Sequence, residues 1–156
     1  MTRDRLLPVV CAGLFCLMGA GCKKKNSNTP NLPPVYTPTL LESLFESMIL
    51  NRQTIIQQAN DSAGTDITNS YTGYIFMLKK NTYHDGPFVC TTPDSTFTGT
   101  WSCNADYSQM LLHLTGKPEF ENFNIYWKFK SKSNTKIELL PWFSFQGNRY
   151  LRIVPK

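Results

Sequence analysis

From residue 52 to the end of the chain, apolar side chains keep recurring at alternate positions. This period of two restricts the fold more than any other feature. It is cleanest in ENFNIYWKFKSK, residues 121–132, where Phe123, Ile125, Trp127 and Phe129 alternate with Asn124, Tyr126, Lys128 and Lys130. Successive side chains of a strand point to opposite faces, so such a run is a strand with one oily side. TFTGTWSCN puts Phe97, Gly99, Trp101 and Cys103 on one face, with Thr98, Thr100 and Ser102 opposite. TKIELL and YLRIVPK continue the rhythm with Ile137, Leu139, Leu151 and Ile153. In YTGYIFMLKK, Tyr74, Phe76 and Leu78 share one side, although Ile75 and Met77 make the other side apolar too. Turn-forming clusters separate these runs: NDSAGTD, KKNT, TTPDST, NADYS, LTGKPE, SKSNT and QGNR. The spacing predicts about eight short strands with no helix between them, an all-β antiparallel meander. Eight strands with one apolar face close most simply into an up-and-down barrel, and a two-sheet β-sandwich is the competing architecture.

One helix is expected ahead of the strands, in TLLESLFESMIL. Thr39 can cap it, Glu42 stands three residues later to complete a capping box, and Pro38 precedes it. Leu41, Leu44, Phe45 and Met48 fall at helical spacing on one face, which would pack across an end of the strand body. Before it, KKKNSNTPNLPPVYTP holds four prolines and no apolar periodicity. Such a composition builds no core and reads as an extended tether of about 50 Å at full stretch, holding a domain of residues 39–156 away from whatever lies upstream.

The formal charge of +5 invites a nucleic-acid reading until its distribution is considered. Arg3, Arg5, Lys23, Lys24 and Lys25 supply five of the sixteen basic residues; beyond them eleven basic residues face ten acidic ones. The domain is nearly neutral and lacks a basic stripe, so nucleic acid is not an expected partner.

The first residues read as an export signal, with Arg3 and Arg5 ahead of an apolar run at 6–17. Those twelve residues span only about 18 Å as a helix, short of a bilayer core of roughly 30 Å, so a signal peptide at 1–21 is expected in place of a membrane span. Met18, Gly19, Ala20, Gly21 and Cys22 resemble the lipobox of bacterial lipoproteins, with Met18 where leucine is usual. That resemblance implies cleavage before Cys22, acylation of its thiol and amino group with palmitate-type chains, and anchoring to the outer membrane. More than one acyl chain is needed for stable attachment, at about 0.8 kcal/mol per buried methylene, and three would suffice. The lysines at 23–25 would then sit at the headgroups. An ordinary secreted protein, with Cys22 merely near the cleavage site, is the competing reading. In some Gram-negative groups an acidic stretch after the lipidated cysteine resembles a surface-export signal. Here KKKNSN is basic, which favours a periplasm-facing domain over a surface-exposed one.

Residues 48–156 resemble the small lipocalin-like domains of Gram-negative envelope lipoproteins. The resemblance rests on GTD-IT, YTGYIFMLKKNTY, the central GTWS-NADYS, and FNIYWKFKSKSNTKIELL. Where a tryptophan often stands in the first strand of that family, this chain has Met48, Ile49 and Leu50. The family implies a barrel and assigns no particular ligand.

Residues that could carry chemistry are few. His84 and His113 are far apart, and neither has a cysteine or carboxylate at metal-ligand spacing. No phosphate-binding glycine loop, nucleophile motif or acid–base pair stands out, so a non-enzyme without metal or cofactor is expected. Cys90 and Cys103 invite a disulfide in an oxidising compartment. If TTPDST closes as a tight turn, however, Cys90 faces Phe97 and Cys103 faces His84, leaving the thiols about 20 Å apart. A bridge needs α-carbons within about 7 Å and hence a different register. Buried free thiols are the alternative. Tyr74, Phe76, Phe88, Trp101, Trp127 and Phe129 are candidates for the barrel interior, either lining a pocket for a small hydrophobic ligand or filling it solidly. Trp142, Phe143 and Phe145 flank an expected loop after Pro141. Exposed, they would mark a surface for an envelope protein, a glycan or the bilayer; alternatively they fold back over the barrel mouth. Two functions follow: a carrier of a small apolar molecule, or a structural and interaction subunit of the envelope with a filled barrel.

Overall fold

Thr39 opens α1 (Leu40–Met48) with the expected capping box: its Oγ1 accepts the Glu42 N–H at 3.2 Å, and Glu42 Oε2 accepts the Thr39 N–H at 2.6 Å. The computed structural model describes residues 35–156. The expected signal peptide, Cys22 and most of the expected tether lie outside the described residues. The folded unit is Tyr36–Lys156, three residues longer than the cap alone suggests. The Tyr36 ring packs against Tyr83, with centroids 5.7 Å apart, and its hydroxyl donates to Glu42.

The helix presents a different face to the barrel from the one its spacing suggests. Glu42 and Phe45 are its buried residues, followed by Ile49 and Leu50, whereas Leu40, Leu41 and Leu44 are 77%, 52% and 48% exposed. The reason lies in what Phe45 and Glu42 meet. Phe45 enters the barrel end between Trp101 and Tyr107, and Glu42 is held by His84, which turns the leucines outward.

The strands are β1 (Thr54–Asn60), β2 (Ile75–Leu78), β3 (Asp85–Thr91), β4 (Thr96–Cys103), β5 (Gln109–His113), β6 (Tyr126–Lys132), β7 (Ile137–Pro141) and β8 (Tyr150–Pro155). Each runs antiparallel to the next and β8 returns to β1, closing an up-and-down barrel in place of a sandwich. The β1–β8 ladder extends from Thr54↔Pro155 to Asn60↔Tyr150, while β1 and β2 meet at the single pair Thr54↔Phe76. There the Thr54 hydroxyl donates to the Phe76 carbonyl at 3.0 Å. Two glycines let backbones approach closely: a Cβ at Gly99 would stand 1.9 Å from the His113 carbonyl oxygen, and one at Gly86 would lie as near to that of Lys79.

Both barrel ends are closed by short helical pieces. At one, α1 inserts Phe45. At the other, 3-10 turns Thr68–Tyr71 and Pro118–Asn122 bring in Tyr71, Phe120 and Phe123. The second turn occupies residues that the alternation assigns partly to strand, so β6 begins only at Tyr126. Asn124 replaces the missing ladder, its side-chain oxygen accepting the Leu114 N–H at 2.8 Å and its nitrogen donating to the Leu114 carbonyl at 3.1 Å.

Candidate functional site

The inward positions are occupied by large side chains in mutual contact. Phe76, Phe88, Trp101 and Trp127 are buried, and Tyr74 and Phe129 pack against the same cluster while keeping some exposure. Phe76 lies 5.9 Å from Phe88 and 5.4 Å from Phe123, and Phe45 lies 4.5 Å from Tyr107 and 5.8 Å from Trp101. Offset and edge-on rings at such separations add to their burial. Both buried indoles are satisfied: Trp101 Nε1 donates to the Lys79 carbonyl at 2.7 Å, Trp127 Nε1 to that of Phe123 at 3.0 Å. The six candidate interior residues therefore do come together, in one cluster with Phe45, Phe120 and Phe123.

The larger clefts lie outside the barrel. At the helix end, Tyr36, Glu42, Lys80, Tyr83 and His84 border a cleft of about 490 Å³. Glu42 is its polar anchor. Its carboxylate accepts from the Tyr36 hydroxyl, the Thr39 N–H and His84 Nε2, the last at 3.1 Å. An ionised carboxylate only accepts, so His84 carries its proton on Nε2. The Tyr36 hydroxyl above all, then the Thr39 backbone N–H, lowers the Glu42 pKa to about 2. The His84 ring also stacks on Tyr107 at 5.0 Å. His84 thus has a carboxylate partner that spacing in the chain does not reveal, because 42 residues separate the two. His113 points to solvent.

A second cluster lies on the outer face of β6, β7 and β8. Glu138, only 5% exposed, accepts from Ser131, Lys136, Tyr150 and Arg152 at 2.6, 3.0, 2.5 and 2.8 Å. These donors hold its carboxyl well below the usual carboxylate range. Every lone pair in reach has a donor, and the group ties three strands together. Alternation marks Glu138 as outward-facing but does not show that its neighbours cover it. Among the described residues no three His, Cys, Asp or Glu side chains converge as a metal site would need.

The far end of β7 carries the aromatic loop. Trp142, Phe143 and Phe145 are 37%, 40% and 82% exposed around the 3-10 turn Ser144–Gln146, so they do not fold over the barrel mouth. Phe143 stacks on Phe145 at 5.2 Å and meets Tyr126 edge-on at 6.2 Å. Trp142 and Phe143, with Lys128, Pro141 and Arg149, border a cleft of about 610 Å³. The loop is held from behind, since Asn148 N–H donates to the Ser62 carbonyl at 2.9 Å.

Cys90 and Cys103 are free, correcting the disulfide considered for them. TTPDST closes as the tight turn, with Thr92 N–H donating to Ser95 O at 2.8 Å. The resulting register sets Cys90 opposite Phe97 and brings Cys103 N–H to the His84 carbonyl at 2.7 Å. Burial pushes both thiols up to about 12.

Taken together, these features define a closed, eight-stranded antiparallel up-and-down barrel with one short helix. No protein-family model and no curated protein matches the chain.

Proposed function

We propose that the chain is a non-enzymatic lipoprotein of the Gram-negative envelope, anchored to the outer membrane through Cys22 and facing the periplasm, whose barrel is a rigid scaffold for contact with another envelope component. The observation that carries this reading is the packed interior. An eight-stranded barrel is just wide enough for side chains, and here Trp101, Trp127, Phe120 and Phe123 are each at most 1% exposed. A carrier needs a lined void of a few hundred Å³, which these rings occupy. The aromatic surface of Trp142, Phe143 and Phe145 supports the interaction role, because a soluble barrel gains nothing by leaving three large rings in water. Its flanking cations Lys128 and Arg149 suit an acidic protein segment or an acidic glycan.

Native mass spectrometry of protein purified from its own host tests the reading. The expected mass is that of the polypeptide from Cys22 onward with acyl groups and no retained small molecule. A stoichiometric hydrophobic ligand would overturn the filled barrel in favour of carriage. Protease digestion of intact cells checks the orientation: removal of the domain would place it on the cell surface.

A further inference from the structure

The outward stripe of α1 has no partner among the described residues, although nearly half of the helix circumference is apolar. At 100° per residue, Leu40, Leu44, Met48 and Leu41 span about 100°, and Phe45, Ile49 and Glu42 follow over roughly the next 100°. The barrel covers the second sector and leaves Leu40, Leu41 and Leu44 in water. The charges are also divided between the two ends of the barrel. At the helix end and the wall next to it, Arg52, Lys79, Lys80, Lys132, Lys136, Arg152 and Lys156 stand against Glu42, Glu46, Asp85, Asp106 and Glu138. At the opposite end Lys117, Lys128 and Arg149 stand against Asp61, Asp66, Asp94, Glu119 and Glu121. One end is basic and apolar, the other acidic.

We infer that the helix end is a membrane-contact surface, with Leu40, Leu41 and Leu44 seated among the headgroups of an anionic bilayer and the acidic end turned away. Two observations choose the bilayer over a protein. The surrounding end is basic, which complements anionic lipid. The chain beyond the described residues also leads from Tyr36, at this same end, back through the tether to Lys23, Lys24, Lys25 and Cys22. An amphipathic helix binds such a surface through buried apolar area plus attraction of nearby cations. The tether then supplies slack while the domain lies on the membrane, presenting the loop of Trp142, Phe143 and Phe145 to the periplasm. The orientation rests on the lipoprotein reading for the anchor; the contact itself rests on the stripe and its charges.

The test uses the full chain produced in a Gram-negative host, recovered from membranes and mixed with excess phosphatidylcholine–phosphatidylglycerol vesicles carrying brominated acyl chains. Bromine quenches tryptophan at short range. Leu41→Trp should be quenched about threefold more than Phe145→Trp, a probe at the opposite end, and adding Leu44→Asp to Leu41→Trp should remove the excess. Equal quenching of the two probes, or an excess that survives Leu44→Asp, overturns the proposal; a protein or second copy covering the stripe would give the first of these results. All three positions are exposed, so near-ultraviolet dichroism should remain that of the parent. The mass of the Cys22 peptide from the same sample judges the anchor separately: an unmodified thiol refutes lipidation, and the quenching ratio still decides the contact.

Discussion

Replacing Phe45 by alanine isolates the plug that α1 places in the barrel end. Its ring is 1% exposed and packs against Trp101, Tyr107 and Phe129, with centroids 5.8, 4.5 and 6.1 Å away. Removing it forfeits roughly 110 Å² of buried apolar surface, about 3 kcal/mol at about 25 cal/mol per Å². The rings around it belong to strands fixed by hydrogen bonds on both sides and can collapse only in part. A residual void of roughly 80 Å³ costs about 2 kcal/mol more at about 24 cal/mol per Å³. The sum, about 5 kcal/mol, is at the upper end of the usual range for Phe→Ala, and relaxation brings the expectation to about 3–5 kcal/mol. In a domain of this size that lowers Tm by about 12–20 °C. Urea unfolding followed by the fluorescence of Trp101 and Trp127 measures it, with Leu40→Ala, at 77% exposure, as a control expected to stay within about 0.5 kcal/mol. Benzene should partly restore Phe45→Ala, since a void lined by rings stays dry and takes up apolar molecules. A loss below about 1 kcal/mol would refute the reasoning, because the helix would then be an appendage and the barrel end open.

Two further outcomes follow from the buried polar groups. Glu42 has a depressed pKa of about 2 in the folded chain, so its contribution to stability is complete above the ordinary carboxylate value of 4.5 and is lost as pH falls from there towards 2. Acid unfolding curves of Glu42→Gln should therefore lose part of the decline seen in the parent over that window, and Tyr36→Phe should lose less of it; identical curves for parent and Glu42→Gln would contradict the assignment. Cys90 and Cys103, with pKa values pushed up to about 12 by burial, should resist iodoacetamide at mildly alkaline pH in the native protein and react promptly in urea. Peptide mass mapping reads this residue by residue, and rapid native alkylation of either thiol would show that burial does not protect it.

Alternation made the barrel legible because the physics it reports is local: a strand with one oily face has that pattern wherever it pairs. The same local logic located the Thr39–Glu42 capping box and, through the TTPDST turn, the register that separates Cys90 from Cys103. The parts that escaped depend on contacts between distant segments. Leu41 and Leu44 share a helix face with Phe45 by spacing, yet which sector enters the barrel is decided by Glu42 meeting His84 from the β2–β3 turn. Phe123 and Ile125 continue the alternation of β6, but Pro118 starts a 3-10 turn and Asn124 pairs with Leu114, so Phe123 reaches the core as an end plug. Glu138 reads as an ordinary outward residue because only the closed sheet brings Ser131, Tyr150 and Arg152 around it.

The two ends of the barrel are different in kind, and this bears on the reading of the interior as filled. A ligand carrier keeps at least one mouth passable, whereas here α1 closes one end and Tyr71, Phe120 and Phe123 the other. The barrel's polar groups are drawn to its rim and outer wall: Glu42 to the helix end, Glu138 to the outer face of β7. Tyr74 lies at the far rim, accepting from Lys117 at 2.7 Å and donating to Glu119 at 2.8 Å. The weakest part of the wall is the β1–β2 seam, joined by one pair and bordered by an outside cleft of about 460 Å³ that includes Ile55, Tyr71 and Tyr74. Widening that seam would first break the bond between Thr54 and the Phe76 carbonyl, and the Phe76 ring packs on both Phe88 and Phe123, which also meet each other at 5.7 Å. Opening the barrel sideways therefore disturbs the centre of its packing, so a filled interior and a closed wall stand or fall together.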